Sequence, residues 1–277
     1  MSAKTKTRSR LMITGGTGYL GSHLLPLLSD KYQIIAFDRT IKQERVNASG
    51  VTFIESDLAN VTDAMLSNIS ILLHTAYSGN LAEEKLFLER ALKLNPKLYL
   101  VYFSSAAVYG DLPDELEAFT VESSTVPVND YGLYKLVLEY WVQALTKKHL
   151  ILRIANPYGK EFSCRGVYAI FRKLLLEQIK SGVIDLKLKI NSDHPEEMVR
   201  DFVHIDDLVT KIAALIFSKG RGLHNISSGQ GVLLEDFAQN VLEELLGEQN
   251  LNKKSYDLAF EYKKDPKVRE IKKSILK

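Results

Sequence analysis

The chain has 277 residues, of which 45% are hydrophobic and 25% charged, with only seven prolines. This is enough chain to bury a substantial core, and the composition excludes disordered and fibrous classes. Basic residues gather at the ends, and positions 11–252 hold 23 basic and 30 acidic side chains, a net charge of −7 that is ill suited to tracking nucleic-acid phosphates.

In chain order, residues 1–10 carry Lys4, Lys6, Arg8 and Arg10 with no acid and predict a flexible, solvated basic tail. Apolar runs at Leu11–Thr14, Gln33–Phe37, Val51–Glu55, Ile71–His74, Leu98–Ser104 and Leu150–Ile154 alternate with helical segments. This alternation predicts βαβ units and an α/β fold with a doubly wound parallel (Rossmann) sheet. Runs such as Leu98–Phe103 are apolar at nearly every position, as strands covered on both faces require. Beyond Asn156-Pro157 the alternation loosens into a helix over Val167–Ser181, a polar stretch, and then a strand or turn at Asp201 leading into a second helix. The expected organisation is a dinucleotide-binding core over 11–155, with 203–222 packing back onto it. A smaller substrate-binding lobe is expected from 156–202 and 223–277. The charged C-terminal stretch has a thin stripe of Val268, Ile271 and Ile275, which predicts a marginal final helix.

The single cysteine, Cys164, excludes an intrachain disulfide and a multi-thiolate metal site. With no base in its immediate neighbourhood it reads as structural. Its lack of cysteine partners fits a reducing compartment, and with no apolar run of membrane length (about 20 residues) and no signal-peptide core the expectation is a cytoplasmic protein without a resident metal.

The first strand runs into "TGGTGYLG", Thr14–Gly21, and then into a helix. Bare glycine backbone there lets a pyrophosphate approach amide N–H groups at the helix N-terminus, where the dipole favours negative charge. Asp38 closes the next strand 23 residues after Gly15, near the spacing of about 20 at which a carboxylate takes the adenosine ribose hydroxyls. Its charge would repel a 2′-phosphate, favouring NAD over NADP, while the adjacent Arg39 leaves NADP open. Asp57 and Leu58 end the third strand, where an adenine contact and a capping role are both open.

"NDYGLYKLVLEYWVQAL", from Asn129, reads as a helix capped by Asn129 or Asp130, with Tyr131 and Lys135 one turn apart on one face. A tyrosine acting as acid or base near neutrality must lose about three units of pKa, roughly 4 kcal/mol. A nearby ammonium can supply that stabilisation. Ser105 ends an apolar strand at the carboxyl edge of the sheet, where such folds bind ligands. A tyrosine and lysine at this spacing are common by chance; what gives them weight is the order loop, aspartate, serine, tyrosine, lysine.

With these pieces, together with "HTA" at 74–76, "FSSAAVYG" at 103–110, "LRIANPYG" at 152–159, "RDFVHIDDL" at 200–208 and "HNISSG" at 224–229, the chain resembles the extended short-chain dehydrogenase/reductase family, in its nucleotide-sugar epimerase and dehydratase branch. The resemblance implies that NAD is held by Gly15, Thr17, Gly18, Tyr19, Leu20 and Gly21, by Asp38 and Arg39, by Asp57 and Leu58, and by His74, Thr75 and Ala76. Lys135 would reach the nicotinamide ribose. It implies that Ser105, Tyr131 and Lys135 are catalytic, and that Ser105, Asn156 and Arg200 face a nucleotide-linked sugar. Ala106 and Ala107 stand where the 4,6-dehydratases of this branch carry an acid pair, so epimerisation through a transient keto intermediate ranks first. Reduction of a keto-sugar or another carbonyl with NAD(P)H ranks second, and a silent cofactor-binding protein is the non-enzymatic alternative. The helix near Leu81–Leu94 is shorter than is usual in the branch; that helix and the one after Tyr131 form dimer interfaces in relatives, which makes a homodimer plausible here.

Overall fold

A computed structural model describes residues 8–45, 48–159, 166–192, 195–264 and 271–277. The first half runs β1 (Ser9–Thr14), α1 (Tyr19–Ser29), β2 (Tyr32–Asp38), β3 (Val51–Glu55), α2 (Asp63–Ser67), β4 (Ile71–His74), α3 (Leu81–Leu94) and β5 (Tyr99–Ser105). The chain continues through α4 (Asp130–Leu145), β6 (His149–Ile154), β7 (Asn156–Tyr158), α5 (Val167–Lys180), β8 (Asp185–Ile190), β9 (Val199–His204) and α6 (Ile205–Phe217). It closes with β10 (Gly222–Ile226), β11 (Gly231–Leu233), α7 (Leu234–Glu248), β12 (Asp257–Tyr262) and β13 (Lys273–Ser274).

The chain divides into two compact units, each assembled from separate stretches. The first takes the residues up to Ser105, Tyr134–Arg153 and Ile205–Ile226. Its seven-stranded sheet has the order β10-β6-β5-β4-β1-β2-β3, and the pairs β1–β2, β1–β4, β2–β3 and β4–β5 run parallel. The central strands β4 and β5 are buried along nearly their whole length, as strands covered on both faces are. Met12, Leu72, Leu100 and Ile151 pack with Leu66, Phe87, Leu88, Leu138 and Val142 in one buried cluster. α6 packs along α1, where Lys31 lies 3.7 Å from the Phe217 ring centroid. Strand order reverses between β1 and β4, the switch point at whose carboxyl ends open sheets of this type bind ligands.

The second unit takes Ala106–Leu133, Ile154–His204 and the chain from Ser227 onward. β9 is its hub, pairing with β7 and β13 in parallel and with β11 antiparallel, while β8 and β12 form a separate parallel pair. Phe202 stacks on Phe237 at 3.5 Å between ring centroids, and Tyr158 meets both rings edge-on.

Three expectations change. Residues 106–133, expected within the first core, group with the second unit: Leu112 and Phe119 are buried, and their backbones bond to Lys273 and Ile275. The N-terminal tail is shorter than predicted, since β1 starts at Ser9 and Arg8 donates to the Ser29 carbonyl; residues 1–7 lie outside the described residues. The final helix does not form over Ile271–Lys277, which is extended and paired. There Ser274 and Leu276 are buried at every second position, the period of a strand, and Asp111 accepts the Lys272 and Lys273 amides at 3.0 and 2.7 Å. Val268 and Cys164 lie outside the described residues.

Candidate active site

β1 ends at Thr14, and the chain turns at once through Gly15, whose φ of +75° is a left-handed value suited to glycine. The Gly15 amide donates to Phe37 at 2.7 Å, and the Gly18 amide to the Gly15 carbonyl at 3.0 Å. A Cβ on Gly21 would stand 2.2 Å from the Gly15 carbonyl oxygen, so the first turn of α1 seats on the loop only without a side chain there. Replacing Gly21 by alanine is expected to force this backbone apart at a cost of about 1–3 kcal/mol, measured as a lower midpoint in thermal or urea unfolding.

α1 begins at Tyr19 behind Gly18, which offers no capping side chain, and no acid occupies its first turn. A bare, dipole-positive helix start is the chemistry a pyrophosphate needs. Asp38 ends β2 against this loop, its Oδ2 accepting from the Thr17 amide at 2.6 Å and the Thr17 hydroxyl at 2.7 Å. Arg45, buried, donates to the Thr17 carbonyl at 3.0 Å. The glycine loop and the carboxylate are thus joined, while Arg39 is exposed.

Across the switch point, Thr75 donates through its hydroxyl to Thr14 at 2.7 Å, and Ala76 is half-buried. The His74 side chain is fully buried within the protein. Its Nδ1 meets the Thr14 hydroxyl at 2.8 Å and its Nε2 a Glu84 carboxylate oxygen at 3.2 Å. Leu58 belongs to the hydrophobic cluster, and Asp57 precedes a short turn whose Asn60 amide donates to the Asp57 carbonyl.

Ser105 is the last residue of β5 and is half-buried. The helix α4 starts where Asn129 caps it, its Oδ1 accepting the Gly132 amide at 2.8 Å. Tyr131 in the first turn is 41% exposed, whereas Lys135 one turn later is 3% exposed. The Lys135 ammonium donates to the Phe103 carbonyl at 2.9 Å, on the strand that ends in Ser105. Burial draws its pKa down to about 8, against the opposing pull of the Glu84 and Glu139 charges. In the second unit, Asn156 donates to the Asp201 carbonyl at 3.0 Å, and the Arg200 guanidinium holds the carbonyls of Val199, Ile271 and Lys272.

The sequence reading missed the buried acids. Glu139 accepts bidentately from Arg153 at 2.7–3.2 Å and from the Ser104 hydroxyl at 2.5 Å; its place four residues after Lys135 was the available signal. Asp201 is fully buried and receives the Ser228 amide and hydroxyl and the Gly229 amide, at 2.7–3.0 Å. Glu84 carried no signal beyond one acid among several at a helix start. Among the described residues no group of three or more His, Cys, Asp or Glu is placed to hold a metal, and no helix is long and apolar enough to cross a membrane.

A doubly wound sheet with a glycine loop locked to a strand-end carboxylate at the switch point defines a dinucleotide-binding α/β protein. Residues 11–226 match the model of the NAD dependent epimerase/dehydratase family, and the chain belongs to that family. Among its relatives, a UDP-glucose 4-epimerase of Azospirillum brasilense is 26% identical over 285 residues, covering 90% of this chain and 81% of the relative. A dTDP-4-dehydro-6-deoxyglucose reductase of Escherichia coli is 25% identical over 290 residues, covering 90% and 84%. Of solved structures, a UDP-glucose 4-epimerase of Thermus thermophilus in complex with NAD superposes with a TM-score of 0.77 at 22% identity, over 97% of this chain and 90% of that one. At that identity the likeness establishes a shared fold.

Proposed function

We propose that the protein is an NAD-dependent epimerase of a nucleotide-linked sugar. The observation that carries the reading is Lys135, a buried ammonium fixed on β5 and set one helical turn behind the exposed Tyr131. The epimerases among its relatives support the same class.

When bound, NAD supplies reversible two-electron chemistry at one sugar carbon. Gly15, Thr17, Gly18, Tyr19, Leu20 and Gly21 would hold its pyrophosphate, Asp38 the adenosine ribose, and Thr75 and Ala76 the edge of the site. Ser105 orients the reacting hydroxyl, Tyr131 takes its proton as the carbonyl forms and returns it afterwards, and the Lys135 charge stabilises the phenolate. Asn156 and Arg200, on the paired strands β7 and β9, serve the nucleotide side of the substrate. Two guanidinium donors can engage one phosphate together, a role in which Arg200 would exchange some of its bonds to the Val199, Ile271 and Lys272 carbonyls for phosphate oxygens. Leu86 and Tyr140, 66% and 61% exposed on α3 and α4, offer a surface for a homodimer. The lone cysteine suits a cytoplasmic setting.

The test is incubation of the purified protein with a panel of UDP- and dTDP-sugars, followed by NMR. Conversion between C4 epimers without net NADH formation is expected. Stoichiometric consumption of NADH or NADPH on a keto-sugar would replace this reading with the reductase one, which the Escherichia coli relative supports. Asp38→Ala is expected to weaken NAD binding roughly 10- to 100-fold and to narrow the preference over NADP, as measured by calorimetric titration with both cofactors.

A further inference from the structure

The first unit buries a second carboxylate that the reaction above does not use. Glu84, in the first turn of α3, has no solvent exposure. Its Oε1 accepts the Ser78 amide at 2.5 Å, and its Oε2 faces His74 Nε2 at 3.2 Å. His74 is anchored on Thr14 behind it. The walls around this carboxylate are also those around Lys135. The Lys135 Nζ lies 5.1 Å from the Tyr102 ring centroid and 5.8 Å from that of Tyr77. His74 stacks on Tyr102, Tyr77 packs edge-on against Tyr134, and the Tyr134 hydroxyl is 3.4 Å from the Ser78 hydroxyl.

Charge matching separates the two acids near the lysine. Glu139 is bonded bidentately to Arg153, so its charge is already matched within the protein. Among the described residues no arginine pairs with Glu84, and the groups that meet its charge are His74, Lys135 and the Tyr134 hydroxyl. We propose that Glu84 is a positioning residue for the reaction: its buried carboxylate, held by the Ser78 amide and His74, is the counter-charge that keeps Lys135 protonated and seated on the Phe103 carbonyl. The proposal rests on the reading of Lys135 as catalytic. Burial pushes the Glu84 carboxyl up, but the bond and charge of His74, the Ser78 amide and the Lys135 charge together hold it well below the usual carboxylate range, so it is ionised wherever the lysine titrates.

The test is a titration of the whole 277-residue chain labelled with ¹³C-lysine, the Lys135 signal being assigned by its loss in Lys135→Met. In the parent it is expected to titrate near 8. Removing a neighbouring anion favours the neutral amine, so Glu84→Gln is expected to lower this midpoint by about one unit or more, and Glu84→Asp to restore most of it. The alkaline limb of kcat/KM is expected to move acidward by the same amount. Where the single variant does not fold, His74→Asn/Glu84→Gln replaces the histidine–carboxylate contact with an amide pair, and the Lys135 midpoint is again expected to fall. A Lys135 midpoint that moves by less than about 0.3 unit overturns the proposal. A midpoint that moves while Lys135→Met keeps full turnover leaves the electrostatic link standing and overturns instead the reading of Lys135 as catalytic.

Discussion

Tyr131→Phe is expected to lower kcat by about 10²- to 10⁴-fold, the usual contribution of a positioned acid–base group, while leaving cofactor affinity within a few-fold of the parent. The substitution removes the hydroxyl proposed to transfer the proton and keeps the ring in the first turn of α4, whose start is capped by Asn129. The pH profile supplies a second check. Lys135 carries its charge below about 8 and loses it above. On the proposed mechanism, stabilisation of the Tyr131 phenolate by that charge is present at neutral pH and lost as pH rises through this value. Turnover measured across pH 6 to about 10 is expected to fall on the alkaline side near the lysine midpoint. A profile flat through that range, or a Phe variant with undiminished kcat, would remove Tyr131 from the mechanism.

The largest effect on stability is expected at Arg153. Its side chain and that of Glu139 are 7% and 0% exposed, and they bond through three contacts of 2.7–3.2 Å. Arg153→Met leaves a buried carboxylate whose remaining hydrogen bond among the described residues is that of the Ser104 hydroxyl. Breaking such a pair from one side costs about 3–5 kcal/mol, which for a chain of this size lowers Tm by roughly 10 °C. Replacing both members by apolar residues removes the stranded charge, so Glu139→Leu/Arg153→Met is expected to recover most of the loss, as followed by circular dichroism on heating. Because Glu139 lies one turn beyond Lys135 on α4 and joins β5 through Ser104 and β6 through Arg153, the single variant is also expected to reduce activity at temperatures where the protein remains folded.

The parallel sheet was legible because strands covered on both faces leave an unbroken apolar signature. β3 and β4 start and stop where the sequence places them, β1, β2, β5 and β6 differ by a residue or two, and β10, which the sequence reading put in the smaller lobe, was not foreseen as part of this sheet. Tyr131 and Lys135 were legible through helical spacing, and Asp38 through its distance from Gly15. What escaped depends on contacts between positions remote in sequence. Glu84 stands beside Glu83 and Lys85, which look like a solvated helix start, and only the fold turns Glu84 onto a histidine ten residues earlier on β4. The C-terminal stripe matched a helical period by chance; the pairing of Lys273 and Ser274 with β9 overrides so weak a local preference. Residues 106–133 carry no strong periodicity, so their allegiance to the second unit appears only once Leu112 and Phe119 meet the chain's last residues.

The first unit draws its final helix and edge strand from Ile205–Ile226, long after its first strands are made. During synthesis, therefore, β6 waits as an unprotected margin and the outer side of α1 stays bare until α6 and β10 emerge. Such a margin invites pairing with a neighbouring nascent chain. A shortened gene ending near residue 155 would yield an aggregating fragment rather than an independent nucleotide-binding module, and chaperone dependence in the cell should track the delay between these two stretches.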